Sequence, residues 1–222
     1  MNVCEMFYSI AGEGSSSGER TVFLRLSGCN IGCRWCDTRY ASENSRKMSV
    51  EEVAKELGEL LVKTDCMRLC ITGGEPLIQQ GSLVSLMKLL PDRGYDEISV
   101  ETNCTIEPTR DLMKYITKWT VSPKLPSSGE SYDKEVLDFF RIQDGVEWKF
   151  VISDATDYIR TDMLLSRLRG QVIYQVAADV PFDLMAYLAK MKWLTQKVLD
   201  DKLPVRVLPQ LHKLMYGDRK GV

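Results

Sequence analysis

Three cysteines, Cys29, Cys33 and Cys36, stand with three and two residues between them in the stretch Ser27-Gly-Cys-Asn-Ile-Gly-Cys-Arg-Trp-Cys-Asp-Thr38. They follow directly on Thr21 to Leu26, an apolar run that reads as a strand, and glycines in the loop let it turn three thiolates onto one centre. A structural zinc closes its shell with four Cys or His ligands. No fourth ligand is close in sequence, and His212, the single histidine, lies far toward the C-terminus. Three thiolates suit instead a [4Fe-4S] cluster that leaves one iron open to a small molecule. The plain alternatives are a degraded zinc knuckle or three buried thiols.

Other stretches carry groups that could serve such a centre. In Thr72-Gly73-Gly74-Glu75-Pro76 the glycines allow close backbone approach to a ligand and the proline stiffens the glutamate before it; the same string also makes an ordinary turn. Glu101-Thr-Asn103 ends a strand in polar groups that either cap the next turn or bind a ligand. Ser122-Pro123-Lys124 offers a hydroxyl and an ammonium beside a rigid residue. Arg25 interrupts the apolar run Val22-Phe-Leu-Arg-Leu on the same face as Phe23, and a charge in a buried strand is costly unless paired. It therefore makes a structural ion pair or faces a central cavity and binds an anion. Thr38 presents one hard oxygen, which alone implies no more than a turn hydrogen bond.

Cys29-x3-Cys33-x2-Cys36, with aromatic Trp35 before the last cysteine, resembles the cluster motif of the radical S-adenosylmethionine (SAM) superfamily. That resemblance implies that SAM chelates the open iron and is cleaved reductively to a 5′-deoxyadenosyl radical. Cys36-Asp37-Thr38, taken with Tyr8-Ser-Ile-Ala-Gly-Glu-Gly14 and Gln210-Leu-His212-Lys213, resembles the 7-carboxy-7-deazaguanine synthases of the 7-deazapurine (queuosine and archaeosine) pathways. The family's reaction contracts the ring of 6-carboxytetrahydropterin with loss of ammonia. By that resemblance Cys29, Cys33 and Cys36 hold the cluster, and Trp35, Asp37, Gly74, Glu75, Ser122, Pro123 and Lys124 surround SAM. The substrate is taken by Ile10, Ala11, Gly12, Arg25, Thr72, Glu101 and His212, and by Val222 through its terminal carboxylate, while Thr38 binds Mg2+. No further catalytic side chain is implied. The resemblance also implies an electron donor such as flavodoxin or ferredoxin and a homodimer. The family generally has glutamine where this chain has Ala11, so substrate contact at Ile10 to Gly12 is expected from backbone groups alone. Another radical SAM reaction, such as glycyl-radical-enzyme activation or peptide modification, and a non-catalytic zinc-binding module are the competing readings.

The elements that must position these residues alternate. Strands are predicted over 3–10 and 21–26, joined by a Gly/Ser-rich turn, and then over 67–72, 97–101, 119–121, 147–152, 172–176 and 205–208. Ser49-Val-Glu-Glu52 is a capping box ahead of a helix carrying Val53, Leu57, Leu60 and Leu61. Further helices are expected over 82–90, 111–116, 134–140, 155–168 and from Pro181, at the first turn, to about 199. Residues 41–48 read as an exposed connection. Strands separated by helices imply right-handed crossovers and a parallel sheet. A complete eight-stranded barrel typically needs ~250 residues, so a partial, open parallel β/α barrel is expected, the architecture the radical SAM resemblance also implies. Residues 1–222 are expected to form one domain, with 205–222 closing over the substrate. In such folds ligand groups gather beyond the carboxyl ends of the strands, where these stretches fall.

Composition bounds the rest. Charged residues at 27% and apolar ones at 44% place the chain among globular domains rather than disordered ones. A net charge of −2 provides no footprint for nucleic acid. The absence of a long apolar run and of a basic, apolar leader is read as no membrane association and no secretion. Seven cysteines, an odd number with three clustered, argue for a reducing, cytoplasmic setting. Cys4, Cys66, Cys70 and Cys104 read as small buried hydrophobes.

Overall fold

The structure, a computed structural model, describes residues 1–90 and 95–222. It opens with an antiparallel hairpin of β1 (Asn2–Ile10) and β2 (Arg20–Leu26), in register from Glu5 opposite Arg25 to Ile10 opposite Arg20, with a slip before Glu5 that sets Val3 opposite Leu26. Between α1 (Tyr40–Glu43) and α2 (Val50–Thr64) lies a two-residue strand, β3 (Arg46–Lys47), which pairs with Asn2 and Val3. Strands and helices then alternate: β4 (Arg68–Gly73), α3 (Gln80–Leu89), β5 (Glu97–Thr102), α4 (Arg110–Met113), β6 (Lys118–Val121) and α5 (Lys134–Phe140). The series closes with β7 (Val146–Ile152), α6 (Ala155–Leu165), β8 (Gln171–Val176), α7 (Leu184–Asp200), β9 (Arg206–Val207) and α8 (Leu211–Tyr216). Among the described residues the sheet runs β3-β1-β2-β4-β5-β6-β7-β8-β9 and is parallel from β2 onward. β3 and β9 are its two edges, so the barrel is open, as expected.

Local chemistry accounts for most element boundaries. The Ser49 hydroxyl accepts from Glu52 N at 3.1 Å while the Glu52 carboxylate accepts from Ser49 N at 2.7 Å, the expected capping box, and Val53 and Leu57 below it are fully buried. α7 starts later than expected. Asp183 accepts from Met185 N and Ala186 N and so sets its first turn, leaving Pro181 outside the helix. The helix expected over 111–116 shrinks to α4: Thr109 caps its start one residue early, and it ends at Met113.

Two further expectations are corrected. Residues 41–48 are exposed from 42 to 47, as expected, but are more than a connection: Ala41 and Met48 are buried, Ala41 O accepts from Gly28 N at 3.2 Å, and β3 covers the outer edge of the hairpin. Polar composition concealed this because the intervening side chains do face solvent. Cys4 is half-buried, lying where the register slips between Val3 and Glu5, whereas Cys66, Cys70 and Cys104 are buried.

Side chains alternate across the parallel strands. In β7, Trp148, Phe150 and Ile152 join the apolar core, while Glu147, Lys149 and Val151 line a cavity inside the barrel. The same two-residue period sends Phe23 and Arg25 of β2, Cys70 and Thr72 of β4, Ser99 and Glu101 of β5, and Lys118 and Thr120 of β6 into that cavity.

Candidate active site

The cysteine loop closes one end of this cavity, which Cys29, Cys33 and Cys36 all line. Backbone contacts seat it: Gly74 N donates to Leu26 O at 3.2 Å and Glu75 N to Gly28 O at 2.9 Å. A side chain at position 74 would put its Cβ 2.0 Å from Gly28 O and 2.9 Å from the Cys29 Cβ, so only glycine admits this approach. On the far side Arg34 N donates to Ser128 O at 2.9 Å and Gly32 N to the Glu130 carboxylate at 2.9 Å. Trp35 Nε1 donates to Ser127 Oγ at 3.0 Å, and Lys124 Nζ sits 5.9 Å from the Trp35 ring centre. Burial pushes the thiols of Cys29 and Cys33 up, so a metal must displace their protons to bind.

The donor set fits an iron–sulfur cluster better than zinc. Among the described residues, one group of three potential ligand atoms lies mutually within 4.8 Å, and it is Glu13, Asp37 and His212 rather than the cysteines. The three sulfurs are thus spread more widely than one tetrahedral zinc would draw them, about 3.8 Å apart for Zn–S bonds of about 2.3 Å. Cluster ligands are soft thiolates, which the loop supplies, and Asn103 Nδ2 stands 3.9 Å from Cys29 Sγ as an N–H donor toward it. Thr38 also lines the cavity, with Oγ1 3.7 Å from Cys36 Sγ.

Deeper in the barrel, Arg25 makes the ion pair expected of a buried charge and also faces the cavity. Its Nε donates to Glu5 Oε1 at 2.8 Å, and Glu5 also accepts from Tyr40 OH at 2.8 Å, while the guanidinium lines the cavity. Arg25 pairs in register with Thr72, whose hydroxyl donates to Glu101 Oε2 at 2.8 Å. Lys149 Nζ donates to Glu101 Oε1 at 3.2 Å and to Glu13 Oε2. Gln210 Nε2 donates to Glu13 Oε1. The turn before β2 is tied to the barrel floor, where Ser15 N donates to the Glu147 carboxylate at 3.1 Å and Thr120 Oγ1 to the same group at 2.8 Å.

The C-terminal segment lies over this chamber. Leu211 N donates to Gly12 O at 2.9 Å, and His212 Nε2 stands 3.4 Å from Asp37 Oδ2. Burial alone would raise the Asp37 carboxyl, but the hydrogen bond and charge of His212 hold it down to about 2. Burial likewise disfavours the imidazolium, yet Asp37 and Glu13 raise the His212 pKa above its ordinary value.

Of the residues singled out from the sequence, Glu75 and Pro123 are not among the cavity's lining residues. Glu75 is fully buried: Leu77 N donates to it at 3.0 Å, Thr102 Oγ1 at 3.0 Å and Asn103 N at 2.7 Å. Burial pushes its carboxyl up, and those donors hold it in place as a brace for the strand ends. Pro123 is buried behind Ser122 and Lys124, which do line the cavity. At Ala11 the backbone is largely committed, since N donates to Glu19 O at 2.8 Å and O accepts from Gly18 N at 2.8 Å. Ile10, Gly12, Trp35, Asp37, Gly74 and Val222 all line the cavity. Sequence reasoning missed Glu13 and Lys149, and gave Gln210 and Asn103 no role of their own within the motifs that contain them. For Lys149 a signal existed: it interrupts an apolar strand just as Arg25 does.

Residues 24–165 match the family model described as the Radical SAM superfamily. The chain is 36% identical to 7-carboxy-7-deazaguanine synthase of Koribacter versatilis, covering 100% of both proteins. It is 34% identical to the synthase of Methanospirillum hungatei, over 97% of this chain and 85% of that one. Among solved structures it resembles QueE from Escherichia coli with a TM-score of 0.65 and 25% identity, over 95% of this chain and 94% of the other.

Proposed function

The chain belongs to the radical SAM superfamily and, within it, to the 7-carboxy-7-deazaguanine synthases, and we propose how its residues divide the conversion of 6-carboxy-5,6,7,8-tetrahydropterin to 7-carboxy-7-deazaguanine with loss of ammonia. When bound, the [4Fe-4S] cluster and SAM of this superfamily supply the one-electron, radical-forming chemistry that no side chain provides.

The protein's own task is to bind, orient and exclude. Cys29, Cys33 and Cys36 hold the cluster as thiolates. Gly74, Ser122 and Lys124, with Trp35 and Asp37 of the cysteine loop, line the place of SAM. Arg25, its Nε committed to Glu5, directs the rest of its guanidinium to the substrate carboxylate, a two-pronged match. Thr72 and Glu101 take the pterin ring, whose guanidine-like edge offers N–H donors to a carboxylate. His212 and Val222 line the chamber, and residues 205–222 act as its cover and keep water and stray hydrogen donors out. Thr38, which lines the cavity, would supply a hard oxygen to a Mg2+ bound beside the substrate.

The observation that carries this reading is one line of contact: Arg25 beside Thr72 on neighbouring strands, and Thr72 bonded to Glu101, beneath the cysteine loop. A carboxylate binder on β2 and an N–H acceptor on β5 thereby flank β4 and face one cavity, for one substrate. The single rigid charge pattern favours a small molecule over a macromolecular substrate.

Among the described residues no helix is long and apolar enough to cross a membrane. Cytoplasmic location, reduction by a flavodoxin or ferredoxin, and a homodimeric active form complete the proposal; free thiols throughout the chain support the first, and the family resemblance supports the other two.

Anaerobic incubation of the iron-loaded enzyme with SAM, a reductant, Mg2+ and 6-carboxytetrahydropterin tests it, with the deazapurine detected by mass. Product is expected. Absence of 5′-deoxyadenosine overturns the radical chemistry, and SAM cleavage without deazapurine overturns the substrate.

A further inference from the structure

Lys149 sits in the middle of β7 with 5% of its surface exposed, and its ammonium serves two carboxylates from distant parts of the chain, Glu13 of the first turn and Glu101 at the end of β5. A buried ammonium needs an anion, and one would suffice. The second is held as well, and each acid is also gripped at its other oxygen, Glu13 by Gln210 and Glu101 by Thr72 at 2.8 Å. Neither carboxylate can turn without breaking a hydrogen bond, and both line the cavity. Each oxygen has a second lone pair, so the two acids keep accepting capacity toward a ligand.

We infer that Lys149 is a positioning residue that fixes Glu13 and Glu101 as a pair, so that their remaining lone pairs receive the N–H edge of the pterin. The inference rests on the substrate reading given above. It adds Glu13 to the substrate contacts and gives a role to Lys149, whose ammonium is held between the two acids. Without the ammonium, two like charges would face each other in a closed cavity and part, and the spacing that matches the N–H edge would be lost. Burial lowers the Lys149 pKa, but the two acids more than reverse this, and Lys149 in turn keeps Glu13 below its ordinary value despite burial.

Steady-state kinetics of Lys149→Met and Lys149→Arg in the iron-loaded enzyme test the inference. Lys149→Met is expected to raise the pterin KM about tenfold or more, with the SAM KM, iron content and pterin-independent SAM cleavage unchanged. Lys149→Arg is expected to restore the pterin KM to within about threefold. A Met variant with wild-type pterin KM, or one whose loss is shared equally by SAM, overturns it. Should Lys149→Met fail to fold, Lys149→Met/Glu101→Gln keeps the net charge of the trio. Its pterin KM is expected above that of Glu101→Gln alone, and equality of the two overturns the role. Wild-type enzyme that cleaves SAM but makes no deazapurine overturns the substrate reading instead, which separates the two failures.

Discussion

The His212 ring lies directly on Gly12: a Cβ at position 12 would stand 2.2 Å from His212 Nδ1 and 2.9 Å from the His212 Cβ. The glycine is thus the seat of the C-terminal segment, and Leu211 N, donating to Gly12 O at 2.9 Å, fastens the two together.

Gly12→Ala should therefore unseat the cover without touching the cysteine loop. Forcing a methyl group into such a contact costs about 1–3 kcal/mol. The expected outcome is a pterin KM raised roughly fivefold or more with wild-type iron content, read by steady-state kinetics beside an iron assay. An unchanged KM would show that the ring finds another position at no cost.

Gly74→Ala acts at the opposite end of the chamber. Its Cβ would meet the Gly28 carbonyl oxygen at 2.0 Å, and backbone has no rotamer by which to escape. The cysteine loop must move, so iron incorporation on reconstitution is expected to fall to well below half that of the wild type. Visible absorbance and iron per chain measure it directly.

Cys33→Ala and Arg25→Ala should separate assembly from turnover. The first removes a cluster ligand and is expected to abolish the brown chromophore and SAM cleavage together. The second leaves the cluster and pterin-independent SAM cleavage in place but loses deazapurine formation. It also leaves Glu5 without its guanidinium, a loss of roughly 2 kcal/mol in unfolding free energy, so denaturation curves belong beside the assay. A fully active Arg25→Ala would remove that residue from the site.

Asp218 clasps the C-terminal segment, accepting from Phe182 N at 2.8 Å and from the buried Lys213 ammonium at 2.9 Å. The Phe182 amide and then Lys213 hold its carboxyl below the ordinary 3.8. Because the folded value lies below the unfolded one, the clasp is fully present above that ordinary value and is lost only as pH falls through the folded value. Asp218 should consequently contribute no loosening of residues 211–222 between about pH 5 and 8, so that any pH dependence of their amide exchange in that range is a quickening as pH rises and His212 gives up the proton it shares with Asp37. Asp218→Asn should quicken that exchange at every pH in that range and raise the pterin KM a few-fold, with iron content unchanged.

Local residues announced much of this protein. Cys29, Cys33 and Cys36 are close in sequence, so their spacing alone constrains what they can hold. The strands before Gly73, Thr102 and Ser122 show themselves by apolar runs, and a parallel crossover fold must then gather their ends on one rim. Arg25 was legible as a charge in a buried strand, and its cavity position bears out that logic. Applied to Glu147 and Lys149 around Trp148, the same logic would have flagged both.

Partners across long distances were not legible. A buried charge implies that it is paired, not with what: Lys149 meets Glu13 from 136 residues away, and Arg25 meets Glu5 through hairpin register. Glu75 sits where a ligand contact is expected, yet Thr102 and Asn103 from the neighbouring strand end take up its carboxylate together with Leu77. Nor does a tail carrying Gln210-Leu-His212 say where it will rest; Gly12 O and the Asp37 carboxylate decide that. The sequence by itself determined the cluster-binding chemistry and the alternation that builds an open barrel, because both are written in neighbours along the chain. Which charges face one another inside it was settled only by the tertiary structure, since strand order and register bring together groups that no local preference can pair.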